Sequence, residues 1–151
     1  MTNVVTSHMQ YKNYAVDKIM VESNTSDVQL ADDYSDDLVI DFNVLKQENE
    51  KSFLIELFID VNKSAKAFKS SRYRIFLKLL SVFDFSQDTS REEITKLLIP
   101  NGLAMAYSTS RGIIGELTAN SINGKYILPS VNFVELIKNK SRKLKNKKKS
   151  H

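Results

Sequence analysis

Apolar and polar residues alternate over several stretches in the first half of the chain. Over 38–45, Leu38, Ile40, Phe42 and Val44 fall on one face, a period of two built from β-branched and aromatic residues. Over 53–61, Phe53, Ile55, Leu57, Ile59 and Val61 share a face, with Glu56 and Asp60 on the other. The polar cluster Lys46 to Ser52 between them is short enough for a hairpin connection, so the two strands pair. A third run, 73–85, sets Tyr73, Ile75, Leu77 and Leu79 against Arg74, Phe76, Lys78 and Leu80, and closes on Val82-Phe83-Asp84-Phe85. The weaker stretch 10–22 puts Tyr14 and Val16 on one parity and Ile19 and Val21 on the other, which predicts a bulge or bend near Asp17. Four consecutive strands with short connections predict an antiparallel sheet.

The pattern then turns helical. Ser90 followed by Glu93 is a capping-box signature, with Ile94, Leu97 and Leu98 as the apolar stripe behind it. Pro100 is expected to end that helix or open the next, where its missing N–H does no harm. From 103 onward, Leu103, Ala106, Tyr107, Ser110, Ile113, Ile114 and Leu117 follow helical spacing. Gly102, Gly112 and Gly115 each cost about 1 kcal/mol against Ala in a helix interior, and in exchange permit close approach by another element or subunit. Asn120 to Lys125 is a turn-rich connector and 126–129 is extended. Asn132 with Glu135 starts a final helix whose Phe133, Val134, Ile137 and Leu144 make a narrow apolar stripe. Strands first and helices last is an α+β order: a four-stranded antiparallel sheet with helices packed on one side. The expected division is one domain over 1–137 and a lysine-rich tail over 138–151, which either extends the last helix or is disordered.

Composition narrows the chemistry. The chain has 151 residues, 42 % apolar and 26 % charged, an ordinary soluble balance at one-domain length. Without cysteine there is no disulfide framework, thiolate metal site or cysteine nucleophile. The two histidines, His8 and His151, sit near the termini, so a buried histidine base is not expected. No apolar run approaches the ~20 residues that cross a bilayer. The first residues lack a basic stretch followed by an apolar one, so the expected address is cytoplasmic. The net charge of +4 divides unevenly. Eight of the 22 basic residues lie between Lys138 and Lys149, leaving 14 against 18 acidic ones, a body of −4 with a basic tail. Such a body repels phosphates, which argues against nucleic acid as its partner.

Catalytic candidates are poor. Asp32, Asp33, Asp36 and Asp37 offer oxygen ligands for a hard cation, but lack the glycine and distal glutamate of a calcium loop. A solvated loop over 27–37 is the preferred reading. Arg111-Gly112-Ile113-Ile114-Gly115 lies within a helical pattern, where glycines serve packing rather than a phosphate-cradling turn. Ser108, Thr109 and Ser110 have no base nearby. These residues point away from an enzyme and call for no cofactor. Clustered cations at 138–149 suit nucleic acid or anionic lipid, or equally a solvated end, and they carry no aromatics to stack on bases. Phe83, Phe85, Leu98, Ile99, Leu103 and Met105 cluster at the strand-to-helix transition. They read either as ordinary core or as the lining of an apolar groove for extended peptide.

The segment Ile127-Leu128-Pro129-Ser130-Val131-Asn132-Phe133 resembles the motif that leads into the last helix of SecB-type export chaperones. Met105 to Ile114, with Arg111 retained, is similar to that family's segment ahead of its small and apolar helix positions, though without its Pro-Tyr pair. Val82-Phe83-Asp84-Phe85 matches the end of the family's fourth strand, and the element order agrees, so the resemblance covers about 9–140. It implies an ATP-independent holdase: a homotetramer, built as a dimer of dimers around long helices, that holds unfolded preproteins and passes them to the SecA motor. It places a client groove at Phe83, Phe85, Leu98, Ile99, Leu103 and Met105, with Tyr126 and Leu128 in its lid. It places SecA docking at Glu22, with Asp17 standing in for an aspartate whose own position holds Lys18. A related branch protects antitoxins of toxin–antitoxin systems, which is the alternative reading. A nucleic-acid-associated protein acting through the basic tail is the second alternative.

Overall fold

The computed structural model describes residues 1–149; the last two residues of the expected tail, His151 included, lie outside it. The strands are β1 (Met9–Ser23), β2 (Leu38–Lys46), β3 (Ser52–Val61) and β4 (Tyr73–Phe85). They form one antiparallel sheet in the order β1-β4-β3-β2. The helices are α1 (Ala65–Lys69), α2 (Arg91–Thr118) and α3 (Phe133–Lys149). This is the α+β arrangement expected, with a four-stranded sheet followed by helices.

Strand parity decides which face is inside. Ile55, Leu57, Ile59 and Val61 of β3 and Tyr73, Ile75, Leu77, Leu79, Phe83 and Phe85 of β4 are buried, while their alternate neighbours are only half covered. In β1 the register slips between Val16 and Lys18, at the bulge that the parity change near Asp17 predicts. A second slip, between Tyr11 and Asn13, moves the inward parity from Met9 and Tyr11 to Tyr14 and Val16, a change that the sequence reading did not pick out.

The structure adds one element to the sequence reading and corrects one expectation. Between β3 and β4 stands the short helix α1, capped by Ser64, whose hydroxyl accepts from the Ala67 N–H at 3.0 Å. Pro100 neither ends nor starts a helix: α2 runs unbroken for 28 residues from its Ser90 cap. Proline removes a hydrogen bond to the carbonyl four residues back, but that residue is the exposed Lys96, so water can satisfy it. The buried positions Ile94, Leu98, Gly102, Leu103, Ala106, Tyr107, Ser110 and Ile114 stay in helical phase across the proline, and their packing carries the helix through.

The glycines of α2 serve different ends. A Cβ at Gly102 would lie 2.5 Å from Cδ1 of the fully buried Ile55, so the helix can rest this close to the sheet only with glycine there. At Gly115 a Cβ would meet Lys125 Cε at 3.1 Å, whereas at Gly112 nothing lies within 4 Å. Gly102→Val is therefore expected to overpack the core and lower stability by about 1–3 kcal/mol. Gly112→Ala, whose added Cβ meets nothing within the chain itself, should raise the stability of the dissociated chain by up to about 1 kcal/mol. Urea unfolding of the two variants checks both signs.

Candidate functional site

β1 and β2 sit at opposite edges of the sheet, so the acidic segment 24–37 must cross the strand ends to join them. It is tied down where it crosses. The Asn24 side-chain amide donates to the carbonyls of Phe68 (3.1 Å) and Ser71 (2.9 Å). Buried Asn62, in the left-handed region at φ 52°, donates to Asp36 Oδ1 (2.7 Å) and to the Tyr73 carbonyl (2.8 Å), and accepts from the Asp37 N–H (3.0 Å). Asp36 also accepts from the hydroxyls of Tyr34 and Tyr126, the latter at 2.8 Å. One carboxylate thus gathers three donors from the crossing segment, the β3 end and the connector after α2. The expectation of a plainly solvated loop holds for the exposed Asp32 and Asp33 but not for Asp36, which the loop cannot release to a cation without losing these bonds.

The connector 119–132 is fixed along its length. Tyr73 donates to the Gly124 carbonyl, and Asn123 donates to the carbonyls of Asn24 and Arg72, each at 2.9 Å. Tyr107 donates to the Pro129 carbonyl at 2.6 Å and meets Phe133 edge-on at 5.5 Å. Leu128 is fully buried. Burial, then the bond to Asp36 and its charge, push the Tyr126 phenol up, beyond the usual tyrosine range. Burial raises Tyr107 to about 12 against the opposing charge of Arg111. Burial and the Asp36 bond and charge raise Tyr34 to about 12.

Against this frame the eight residues expected to line a client groove separate into two groups. Phe83, Phe85, Leu98, Leu103 and Leu128 are in the core, at most 5 % exposed. Ile99 and Tyr126 are half-buried and Met105 is exposed. Ile99 and the rim of Leu98 open on a cleft of about 520 Å³ between the β2–β3 hairpin and the start of α2, where Phe53 and Lys46 form the other wall. Met105 and, twelve residues further along α2, Leu117 are exposed instead.

The expected docking pair lies on the sheet face turned away from α2. Asp17, at the β1 bulge, is 2.8 Å from Lys78, which also lies 3.3 Å from Glu56, and hydrogen bonds to both carboxylates raise the Lys78 pKa. Glu22 faces Arg74 at 3.8 Å, and Lys18 stands 5.7 Å over the Phe76 ring.

A second groove, about 510 Å³, runs between the free edge of β2 and α3. Its apolar lining is Val39, Ile40, Leu136 and Leu144, and Lys140 and Lys143 stand on its rim. Lys140 Nζ is 2.6 Å from Asp41 Oδ1, donates also to the Phe42 carbonyl, and sits 4.5 Å over the Phe42 ring. Burial raises the Asp41 carboxyl, but hydrogen bonds from Lys140 and the Phe42 N–H, with the charges of Lys140 and Lys143, outweigh it and hold its pKa down. Sequence reasoning passed over this groove because its cations belong to a run that reads as a solvated tail. The 3.6-residue period that sets Lys140 and Lys143 beside Leu136 and Leu144 was the available signal.

The hydroxyls of Ser110 and Thr109 donate to helix carbonyls four residues back, at 2.9 and 3.1 Å, and His8 is exposed beside Glu93. Among the described residues no helix is long and apolar enough to cross a membrane.

The architecture has a counterpart among solved structures. The Mycobacterium tuberculosis SecB-like chaperone Rv1957, solved in complex with a ChAD peptide from the Rv1956 HigA1 antitoxin, superposes with a TM-score of 0.61. The alignment covers 82 % of this chain and 91 % of that one at 13 % identity. The fold is SecB-like. A protein of unknown function from Streptococcus agalactiae aligns at a TM-score of 0.44 and 8 % identity, over 81 % of this chain and 97 % of that one. No protein-family model matches the chain, and no curated protein matches its sequence. The SecB-like fold thus rests on element order and geometry, with little shared sequence beneath it.

Two outcomes follow from the Asp36 junction. Asp36→Ala strands three donors and should lower stability by about 2–3 kcal/mol, while Tyr126→Phe, which leaves two of them bonded, should cost about 1 kcal/mol. Denaturant unfolding distinguishes the two. The phenols also set an alkaline limit. Their folded pKa values lie above the ordinary ~10, so their contribution is complete below pH ~10 and is lost as pH rises from there toward 12. Tyrosinate absorbance should show Tyr34, Tyr107 and Tyr126 still protonated at pH ~11 in the folded protein.

Proposed function

We propose that this chain is an ATP-independent holdase that binds other polypeptides in their unfolded state, without catalysis or cofactor. The SecB-like fold, spanning most of both chains, is the observation that carries the reading. Two surface features support it. Apolar side chains remain uncovered on α2 (Met105, Leu117) and along the β1 edge (Tyr14, Val16), and two open grooves flank the sheet. A client burying apolar side chains there gains about 25 cal/mol per Å², summed over many weak contacts, which suits binding without sequence selectivity.

The assembly proposed is a cytoplasmic homotetramer, a dimer of dimers. The open row Ala104, Ser108 and Gly112 on α2 lets a second helix approach closely, and the uncovered Tyr14, Val16 and Met105 continue that surface. The client surface proposed includes Ile99, Met105 and Tyr126, with Phe83, Phe85, Leu98, Leu103 and Leu128 supporting it from beneath. Delivery to a SecA motor through Glu22 and Asp17 is the narrower form of this reading. It requires Lys78 and Arg74 to share these carboxylates with the partner.

A dedicated client is the second reading, favoured by the antitoxin peptide bound to the M. tuberculosis neighbour. Breadth separates the two. A general holdase at near-stoichiometric amounts should suppress light scattering from several unrelated unfolded proteins, and its solution mass should correspond to four chains. Suppression confined to one antitoxin would move the reading to the dedicated form. If no unfolded chain is bound or protected, the holdase reading fails.

A further inference from the structure

We propose that the groove between β2 and α3 takes an extended client segment as an added strand, and selects segments that carry carboxylates among their apolar residues. The inference rests on the holdase reading and adds the chemistry of the client. β2 is an edge strand, and its odd-numbered residues bond to β3: the Gln47 N–H donates to the Ser52 carbonyl, and Asp37 accepts from the Asn62 N–H. The even-numbered residues therefore turn their N–H and C=O groups outward, toward the groove. At mid-strand both outward groups of Phe42 are occupied by side chains. The Asp41 carboxylate accepts from its N–H at 2.8 Å, and Lys140 donates to its carbonyl. An anion on the donor and a cation on the acceptor, joined to each other at 2.6 Å, fill the place of a neighbouring strand. Capping of this kind keeps an edge from pairing indiscriminately.

An incoming strand exchanges with this cap group for group. Its carbonyl takes the Phe42 N–H from Asp41, and its N–H takes the Phe42 carbonyl from Lys140. The released Asp41 is largely exposed and returns to water, whereas the Lys140 side chain is only 25 % exposed and needs an anion close by. Lys143 adds a second cation on the same rim, and Asp41 is the one carboxylate lining the groove among the described residues. A client carboxylate beside apolar side chains satisfies Lys140 and Lys143, while the apolar side chains cover Val39, Leu136 and Leu144, of which Val39 and Leu144 are more than half exposed. A basic segment of the same apolar content meets the like charges of Lys140, Lys143 and Lys147 instead.

The test is fluorescence anisotropy of the full chain with unstructured labelled peptides that share one apolar sequence and differ only in carrying Asp, Asn or Lys between the apolar residues. The Asp peptide should bind about tenfold more tightly than the Lys peptide at low salt, and Lys143→Glu should abolish or reverse that order. Backbone N-methylation of the Asp peptide on alternate residues should abolish binding for one parity and spare it for the other. Equal affinities for the Asp and Lys peptides, or N-methylation without a parity effect, overturn the inference while leaving the holdase reading standing. If no peptide binds and unfolded proteins are not protected either, the holdase reading falls and this inference with it.

Discussion

The contact on which the rest of the molecule depends is the seat of α2 on the sheet. Ile55, Leu57 and Leu79 are fully buried apolar positions on the inner face of the sheet, and α2 packs on β1, β4 and β3 alike. Gly102 sets the distance, because any side chain there would strike Ile55. From that seat the other placements follow. The C-terminal end of α2 is carried toward the strand ends where the acidic crossing passes, and Asp36 joins crossing, sheet and connector at a single carboxylate. The connector, anchored at Tyr126, Leu128 and Pro129, then delivers α3 to the β2 edge.

Much of this architecture was legible along the chain because it rests on periodicity. Strict alternation in β2, β3 and β4 reports a sheet with one buried face, and the change of parity across Asp17 reports a bulge, since a strand can change faces only by gaining a residue. The Ser90–Glu93 spacing reports a helix start through a local bond. What escaped has no local signature. Pro100 signals a break wherever it stands, and only the continuous burial of Ile94, Leu98 and Leu103 around it overrules that signal. Asn62 and Asp36 are polar residues that stand out in no local pattern, and apart from Tyr34 the side chains and carbonyl that tie them into the junction lie 11 to 90 positions away.

The same distinction explains the candidate site. Apolarity at the strand-to-helix transition selected Phe83, Phe85, Leu98 and Leu103, yet a residue apolar enough to suggest a binding groove is equally fit for the core, and the alternation of β4 continues through Phe83 and Phe85. Period two, applied to the end of β4 as it was to the middle, assigns these rings to the buried face. Residues that remain at a groove are mixed in character. Ile99 lies beside Arg91 and Lys46, and Leu144 beside Lys143, so each groove interleaves apolar and cationic side chains and exposes no continuous apolar patch.

Charge separation along the chain acquires a structural meaning in the same way. The body carries the excess of carboxylates, and the charged residues of α3 are all cations except Glu135, so their attraction favours docking of the helix on the sheet edge. Asp41 and Lys140 make the closest contact of that docking, at the point where β2 would otherwise present an unpaired N–H and C=O. A capped edge of this kind is reversible where a covering strand is not: two side chains can swing aside without unfolding any element. An uncapped edge in a protein whose partners are unfolded chains would pair with its own copies as readily as with them. On the holdase reading proposed above, the cap would reconcile two demands on one strand, solubility when empty and backbone pairing when a client arrives.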